Sequence, residues 1–434
     1  MRGWSAERLA QAAGARLAAP GRAGSGPARA VIDSRHAGPG DLFVGLPGER
    51  VDGGRFARDV LAAGAWGVLV GEAVDLADDA SGDGAILVAA DPLAALQRLA
   101  TAWRRELGAK VIGITGSTGK TSTKDLTAAM VDQRRRVVAT PLNLNTQIGL
   151  PLTILGAPSG TEVLVLEMAM RGAGQIAELA HIAEPDVGVI VNVGPVHLEL
   201  LGTIEAIAAT KSELIERLQP GGTAIVPAGE PLLSTHLATL PAGVSTVTFG
   251  PGGDVDELPP GLEVPFTSAH MRSNALAALA AARAVGVEPT GRLEVALSAL
   301  RGERRELSGG IVVIDDCYNA NPMSMRAALD DLAASASGRR VAVLGDMLEL
   351  GPDEVRFHEE IGAHARATGV DLLVTVGPLA AAMGPAFGGA TVAVDAAADV
   401  ATALRPRLSA GDTVLVKASR GVGLEVVAAE LATR

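Results

Sequence analysis

The sequence predicts an α/β protein of three domains: a small α/β N-terminal domain (1–107), a central P-loop-type mononucleotide-binding domain (108–309) and a C-terminal Rossmann-like domain (310–434). Three observations carry this. Short β-branched runs alternate with helical apolar spacing along most of the chain, the pattern of parallel strands joined by crossover helices. One such unit, KVIGITGSTGKTSTKDLTAAM from Lys110 to Met130, carries a glycine-rich loop between strand and helix. A length of 434 residues with 48% hydrophobic content also exceeds one ordinary core, since domains run to roughly 100–200 residues.

The N-terminal domain opens with a helix over Trp4–Ala13 capped near Ser5, followed by strand and turn signals from Ala30 to Gly48. A helix over Phe56–Ala63 and a strand over Trp66–Val70 come next. Ser34 and Arg35 stand at a strand end, where a hydroxyl and a guanidinium fork grip phosphate; an ordinary surface-loop arginine fits the position equally well.

The central domain begins with the glycine loop. Val111–Thr115 reads as a buried strand, Gly116-Ser117-Thr118-Gly119 as a turn of small residues, and Thr121 onward as a helix. Such a loop turns backbone N–H groups over a helix N-terminus and holds a polyphosphate, with Lys120 adding positive charge and the Thr121 hydroxyl reaching a Mg²⁺ ion. The expected function is an ATP site. Ile114 occupies the first glycine position of the general P-loop, and Gly113 lies one residue earlier. Downstream, the buried run Glu162–Met168 delivers Glu167 to a strand's C-terminal edge, where a Mg²⁺ ligand belongs. The strand Val187–Val193 brings His197 to the same rim, as a site residue or as a satisfied polar side chain. In the Ala-rich helix that begins near Ser268, His270 and Asn274 lie one turn apart, and an amide there can read an adenine edge. Arg301-Gly302-Glu303 closes the domain, and Gly309-Gly310 is the expected hinge.

Lysine usage singles out one more residue. Of 37 basic residues only five are lysine: Lys110, Lys120, Lys124, Lys211 and Lys417. Arginine serves wherever charge alone is wanted, so a surviving lysine is a candidate for primary-amine chemistry, although Lys110 and Lys124 read as chance survivors. Lys211, in the helix Ile204–Leu218, could stay neutral near two magnesium ions and take up CO₂, becoming an anionic ligand as its carbamate.

The C-terminal domain alternates strands at 311–314, 341–344, 372–376, 391–394 and 413–416 with helices, without a dinucleotide fingerprint. Its strand ends carry Asp315 to Pro322, Gly345 to Gly351 and Lys417 to Arg420, three loops on the ligand edge of the sheet.

Composition excludes several classes. A net charge of −12 and 2% aromatic residues argue against a general nucleic-acid binder. No uncharged apolar run approaches 18 residues and the N-terminus has no hydrophobic leader, so a cytoplasmic protein without membrane partners is expected. The single cysteine, Cys317, excludes an internal disulfide and, among acidic neighbours, reads as a packed residue.

The order T-G-S-T-G-K-T, N-x-N-T-x-I-G-x-P, E-M-A-M-R-G, N-V-G-P-V-H, T-K-S-E-L, H-x-x-x-N-A-L-A-A, R-G-E, D-D-C-Y-N-A-N-P, L-G-D-M-L-E-L-G and K-A-S-R resembles the Mur ligase family across essentially the whole chain. The shifted P-loop with Ile114 is that family's own form, while Asp52-Gly53-Gly54-Arg55-Phe56 departs from its D-G-H-x-F, Cys317 replaces a common serine, and Ala418 a common glycine. The Y-N-A-N-P and G-D-M-L-E-L-G pair points to the member that adds D-alanyl-D-alanine to UDP-N-acetylmuramoyl-tripeptide.

The resemblance implies an ATP-driven peptide-bond ligase working through an acyl phosphate with two Mg²⁺ ions, and nothing in the sequence demands more than a monomer. Lys120, Glu167, His197 and carbamylated Lys211 would be catalytic, with Thr121 and Glu167 on one metal and His197 and Lys211 on the other. Thr115 to Ser122 (Thr115, Gly116, Ser117, Thr118, Gly119, Lys120, Thr121, Ser122), Arg301, Asn274, Asp316 and Tyr318 would hold ATP. Ser34, Arg35, Asn143, Asn145, Thr146, Asn319 and Asn321 would bind substrate. A folylpolyglutamate-synthetase-like or other Mur-type ligase would share the ATP half, and a P-loop ATPase or regulatory module would need no amine substrate.

Overall fold

The computed structural model describes residues 1–434 except 2, 23, 77–82, 267, 297, 299 and 433–434. Three sheets organise them. The first holds β1 (Arg16–Ala19), β2 (Arg29–Val31), β3 (Asp41–Val44), β4 (Gly67–Gly71) and β5 (Ala85–Ala89) in the order β1-β5-β4-β3-β2. Only β1 runs antiparallel to its neighbour. The expected first helix is present at Ala6–Ala13, its Ser5 side chain accepting from the Arg8 N–H.

The second sheet is wholly parallel: β6 (Lys110–Thr115), β7 (Val137–Ala139), β8 (Val163–Glu167), β9 (Val187–Ile190), β10 (Thr223–Pro227) and β11 (Ser245–Phe249), ordered β11-β10-β9-β6-β8-β7. The chain leaves β6 toward one side for β7 and β8, then crosses to the other for β9. That reversal opens a crevice at the C-terminal end of β6, where open α/β sheets take their ligands. The short pair β12 (Leu262–Glu263) and β13 (Gly291–Arg292) flanks the helix Ala269–Ala284.

The third sheet holds β14 (Glu303–Leu307), β15 (Ile311–Asp315), β16 (Arg340–Gly345), β17 (Leu372–Val376), β18 (Ala390–Val394) and β19 (Thr413–Lys417), ordered β14-β15-β19-β16-β17-β18. All five expected strands appear within two residues. The sixth, β14, pairs antiparallel with β15 in the register Leu307↔Ile311 to Glu303↔Asp315.

That hairpin corrects the expected hinge. Gly309 and Gly310, with φ of 80° and 71°, form the tip of β14–β15, at the edge away from the cleft. Residues 303–307 therefore pair with the third sheet rather than the second. The strained connection lies earlier, at Leu300 (φ 60°) and Gly302 (φ 75°) beside Arg301. A glycine pair and a strained leucine do different work: the first permits a tight hairpin, the second stores backbone strain between two sheets.

The first boundary also has a physical qualification. The helix Pro92–Leu107 packs on one continuous apolar core that includes Leu9, Leu42 and Leu87 of the first sheet's layer and Leu150, Ile154 and Leu166 of the second. Trp103 donates from Nε1 to the Ala157 carbonyl at 3.0 Å and meets Trp4 edge to face at 5.5 Å. The third domain has cores of its own, entered from the central domain by Leu198.

If the glycine pair is only a hairpin tip, alanine at Gly309 or Gly310 should lower unfolding free energy by about 1–2 kcal/mol, the left-handed penalty, and leave kcat unchanged. Urea titration with steady-state assays checks this; a large fall in kcat would return the hinge to these residues.

Candidate active site

The loop after β6 is shaped by close approach. Gly119 has φ 77°, and a Cβ on it would stand 2.6 Å from Asn274 Oδ1, so the helix Ala269–Ala284 is pressed against bare backbone. Just beyond β9, Asn192 braces the turn: its Oδ1 accepts from the N–H groups of Ser117 (3.1 Å) and Thr118 (2.9 Å), and its Nδ2 donates to the Thr118 carbonyl (3.1 Å). The loop helix Lys120–Asp132 starts from Gly119 without any side-chain cap, which leaves its first-turn N–H groups for an anion. Lys120, half-buried, donates to the Gly116 carbonyl at 2.7 Å. Burial pushes its pKa down; the Glu167 carboxylate opposes that, and Arg301 adds to it.

Glu167 ends β8 and is 3% exposed. Asn145 Nδ2 donates to its Oε1 at 2.8 Å, and Thr140 Oγ1 accepts from its N–H at 2.9 Å. Its Oε2 is buried without a hydrogen-bond partner. An ionised oxygen in that state is costly unless a cation completes it, so the residue fits a metal ligand. His197 sits in left-handed backbone (φ 54°), and its Nδ1 is 2.5 Å from Glu349 Oε2 of the C-terminal domain. Burial lowers the imidazole pKa, the Glu349 carboxylate opposes this, and Lys120 and Lys211 reinforce it.

Lys211 is 2% exposed on the helix Ile204–Glu216. Among the described residues no carboxylate pairs with it. Burial first, and Lys120 second, hold its pKa well below the ordinary lysine value. A buried amine whose pKa is held down fits the residue type that the carbamate expectation needs. Lys124 is no chance survivor: it is buried, donating to the Thr140 carbonyl at 3.0 Å and pairing with Asp125 at 2.5 Å. Through Thr140 it supports the strand end that carries Glu167. Cys317 is buried and packed as expected, its thiol pushed up chiefly by burial.

Two cavities flank the loop. One of about 560 Å³ is lined by Ser122, His270, Asn274, Asp316 and Lys417 among others. The second, about 530 Å³, is lined by Lys120, Thr121, Asn143, Asn145, Thr146, Glu167, His197, Tyr318, Asn319 and Asn321 among others. Thr118, Gly119, Arg301 and Ser324 belong to both walls.

The structure thus gathers most of the expected site residues and relocates others. Thr115 and Gly116 lie beneath the loop and line neither cavity; Thr115 is 1% exposed because it is still inside β6. Tyr318 faces the second cavity rather than the Asn274 side, with Arg301 stacked 4.0 Å over its ring. Asp316 does line the first cavity, but its carboxylate takes a hydrogen bond from Lys417 at 2.6 Å. Asn145 spends its amide on Glu167. Asn321 caps the helix Pro322–Ser335 and reaches the Ser117 carbonyl at 3.4 Å, which leaves it little for a ligand. Arg301 donates to Thr121 Oγ1 at 3.2 Å. Ser34 and Arg35 line neither cavity, and the Arg35 fork closes on Asp33, holding that carboxyl well below the usual range. Glu349, Lys417 and Lys124 were not singled out as site residues from the sequence; the scarcity of lysine was a usable signal for the last two.

Two substitutions test this geometry. Gly119→Ala should weaken ADP binding by about tenfold or more, since a left-handed non-glycine costs about 1–2 kcal/mol and tenfold is 1.4 kcal/mol. Calorimetric titration reads it. Lys124→Met removes the cation beside Asp125, whose carboxylate keeps its hydrogen bonds from Ser298, and should lower unfolding free energy by about 1–3 kcal/mol in urea. Unchanged stability would show that Lys124 is dispensable to the strand end.

Comparison with known proteins follows the same layout. Residues 114–282 match the Mur ligase middle domain, 291–420 the Mur ligase glutamate ligase domain, and 30–104 the Mur ligase family catalytic domain. UDP-N-acetylmuramoyl-tripeptide–D-alanyl-D-alanine ligase of Bacillus subtilis is 36% identical, covering 92% of each chain. A crystal structure of MurF from Acinetobacter baumannii superimposes with a TM-score of 0.86 at 30% identity, covering 99% of each chain. MurF ligase from Thermotoga maritima, solved in complex with ADP, gives 0.81 at 31% identity over 93% of this chain and 97% of that one. This chain belongs to the Mur ligase family.

Proposed function

We propose that the chain is an ATP-dependent ligase that joins D-alanyl-D-alanine to UDP-N-acetylmuramoyl-tripeptide, giving the pentapeptide precursor of peptidoglycan, ADP and phosphate. The carrying observation is the pair of cavities that share the wall of Thr118, Gly119, Arg301 and Ser324. A phosphoryl donor on the Asn274 side and an acceptor on the Glu167 side would meet across the glycine loop. The relatives named above carry this activity in their names and align along nearly the whole chain.

On this reading the peptide's terminal carboxylate oxygen attacks the γ-phosphorus, the bond to the β-phosphate oxygen breaks, and ADP leaves. The amine of D-alanyl-D-alanine then adds to the acyl phosphate carbon. The tetrahedral adduct expels phosphate and loses a proton, leaving the amide. Lys120 and the first-turn N–H groups of the loop helix hold the phosphates and offset the repulsion between two anions. Arg301 reaches the same phosphates from the linker, and Asn274 borders the base. Two magnesium ions, one at Thr121 and Glu167 and one at His197 and carbamylated Lys211, would neutralise charge between phosphate and carboxylate. The orphaned Glu167 oxygen and the unpaired Lys211 amine are the features that suit them. Contact of the C-terminal domain with the loop, as at Asn321 and Ser117, keeps water from the acyl phosphate.

Among the described residues no helix is long and apolar enough to cross a membrane. A cytoplasmic monomer acting on soluble nucleotide-linked substrates is the matching proposal.

Phosphate release with ATP, Mg²⁺ and UDP-N-acetylmuramoyl-tripeptide should depend strictly on D-alanyl-D-alanine. Lys211→Ala should abolish it, and added short-chain carboxylic acids should restore part. Dipeptide-independent release would favour a P-loop ATPase, and a fully active Lys211→Ala would remove that lysine from the site.

A further inference from the structure

Among the described residues, five non-glycine positions have left-handed backbone: Leu142, Glu184, His197, Leu300 and Glu349. Glu184 ends a helix. The other four lie in segments that border the cleft, and two of them, His197 (φ 54°) and Glu349 (φ 63°), touch each other across two domains. A backbone in that region costs about 1–2 kcal/mol for an ordinary residue, so a strained pair that meets invites a functional account.

The contact is specific. Glu349 Oε2 stands 2.5 Å from His197 Nδ1, and Oε1 lies 3.7 Å from an Arg171 guanidinium nitrogen. The Glu349 carbonyl accepts from the Glu199 N–H at 3.4 Å. One residue of the third domain is thereby fastened to the loops that follow both β8 and β9. A carboxylate accepting at Nδ1 would place the ring proton on that atom and present Nε2 as the lone pair. His197 lines the cavity that also contains Lys120, Thr121 and Glu167.

We propose that Glu349 is a positioning residue: the third domain delivers its carboxylate to His197, fixing the ring's tautomer and orientation, so that the site is complete only when the domains are together. This rests on the ligase reading for its consequence, since that reading gives His197 its task. The geometric part stands on the unliganded protein alone.

The test is a double-mutant cycle with Glu349→Ala, His197→Ala and the combined variant, assayed at saturating ATP, tripeptide and dipeptide. Loss of a partner that orients a ligating histidine costs about 10–100-fold. The expected result is a fall of that size in kcat for Glu349→Ala with KM for ATP unmoved. Glu349→Gln, whose amide oxygen still accepts, should lose less. In the His197→Ala background, Glu349→Ala should add nothing. Glu349→Gly removes the carboxylate while suiting φ 63°, so it separates lost chemistry from misfolding and should match the alanine variant. A change under about twofold for Glu349→Ala, an equal loss in both histidine backgrounds, or a fully active glycine variant would overturn the proposal.

A second readout needs no turnover. In ¹⁵N-labelled unliganded protein, the His197 ring should be Nδ1-protonated in wild type and shift toward Nε2–H in Glu349→Ala, with His197→Ala giving the assignment. An Nε2–H ring in wild type would overturn the positioning role. Wild-type protein that fails to consume the dipeptide while keeping the Nδ1–H ring would overturn the ligase reading and leave this contact standing.

Discussion

The site depends on places where a side chain is missing. Gly119 lets Asn274 press against the glycine loop, its Oδ1 standing 2.6 Å from where a Cβ would lie, and Gly113, inside β6, does something similar one layer down. A Cβ on Gly113 would meet Leu214 at 2.9 Å and Met168 at 3.1 Å; one on Gly188 of β9 would meet Leu214 at 3.2 Å and Ile215 at 3.3 Å. The helix Ile204–Glu216 therefore lies directly on two glycines of the sheet and sinks Lys211 with it. The glycine displaced from the general P-loop position is thus tied to helix packing as well as to phosphate. Close-packed interiors have few voids, so a side chain added at these positions must displace Leu214 and its neighbours.

That constraint explains which parts of the site were legible in the sequence. Glycine spacing, a carboxylate at the end of an apolar run and a lysine where arginine is the habit are all local signals. They led to the loop, Glu167 and Lys211. The fold class was equally local, because alternating strand and helix patterns repeat through the chain. Pairings between distant segments have no such signature. Nothing in the spacing of Asn143-Leu144-Asn145 says that one amide is spent on Glu167, and nothing in L-G-D-M-L-E-L-G says that Glu349 will meet His197 across 152 residues. Gly309-Gly310 was misread for a related reason: a glycine pair reads alike at a hinge and at a hairpin tip, and only the pairing of β14 with β15 separates them.

The electrostatics of the cleft follow from burial more than from charge count. Lys120, Lys211 and Arg301 converge while Glu167 is the carboxylate that opposes them at Lys120, so burial and mutual repulsion push both amines toward neutrality. A chain of net charge −12 can still bind a polyanion because its positive groups are concentrated and desolvated at one loop. At Lys120 the negative partners are the Glu167 carboxylate and the Gly116 carbonyl, and a polyphosphate on the loop would add to them. Among the described residues no carboxylate pairs with Lys211, and burial first and Lys120 second hold its pKa down.

The loop helix also carries the connection between domains. Ser298 is held to the Asp125 carboxylate from both its N–H (2.9 Å) and its hydroxyl (3.0 Å), and Arg301 is held to the Thr121 hydroxyl. Thr121 and Asp125 are one helical turn apart on the same face, so the linker is pinned twice to a single rigid rod. The strained Leu300 lies between those two pins. The N-terminus of that rod opens on the glycine loop, so the linker's anchor at Thr121 lies one residue beyond Lys120. The linker to the third domain and the glycine loop are therefore tied to one helix by a single set of hydrogen bonds.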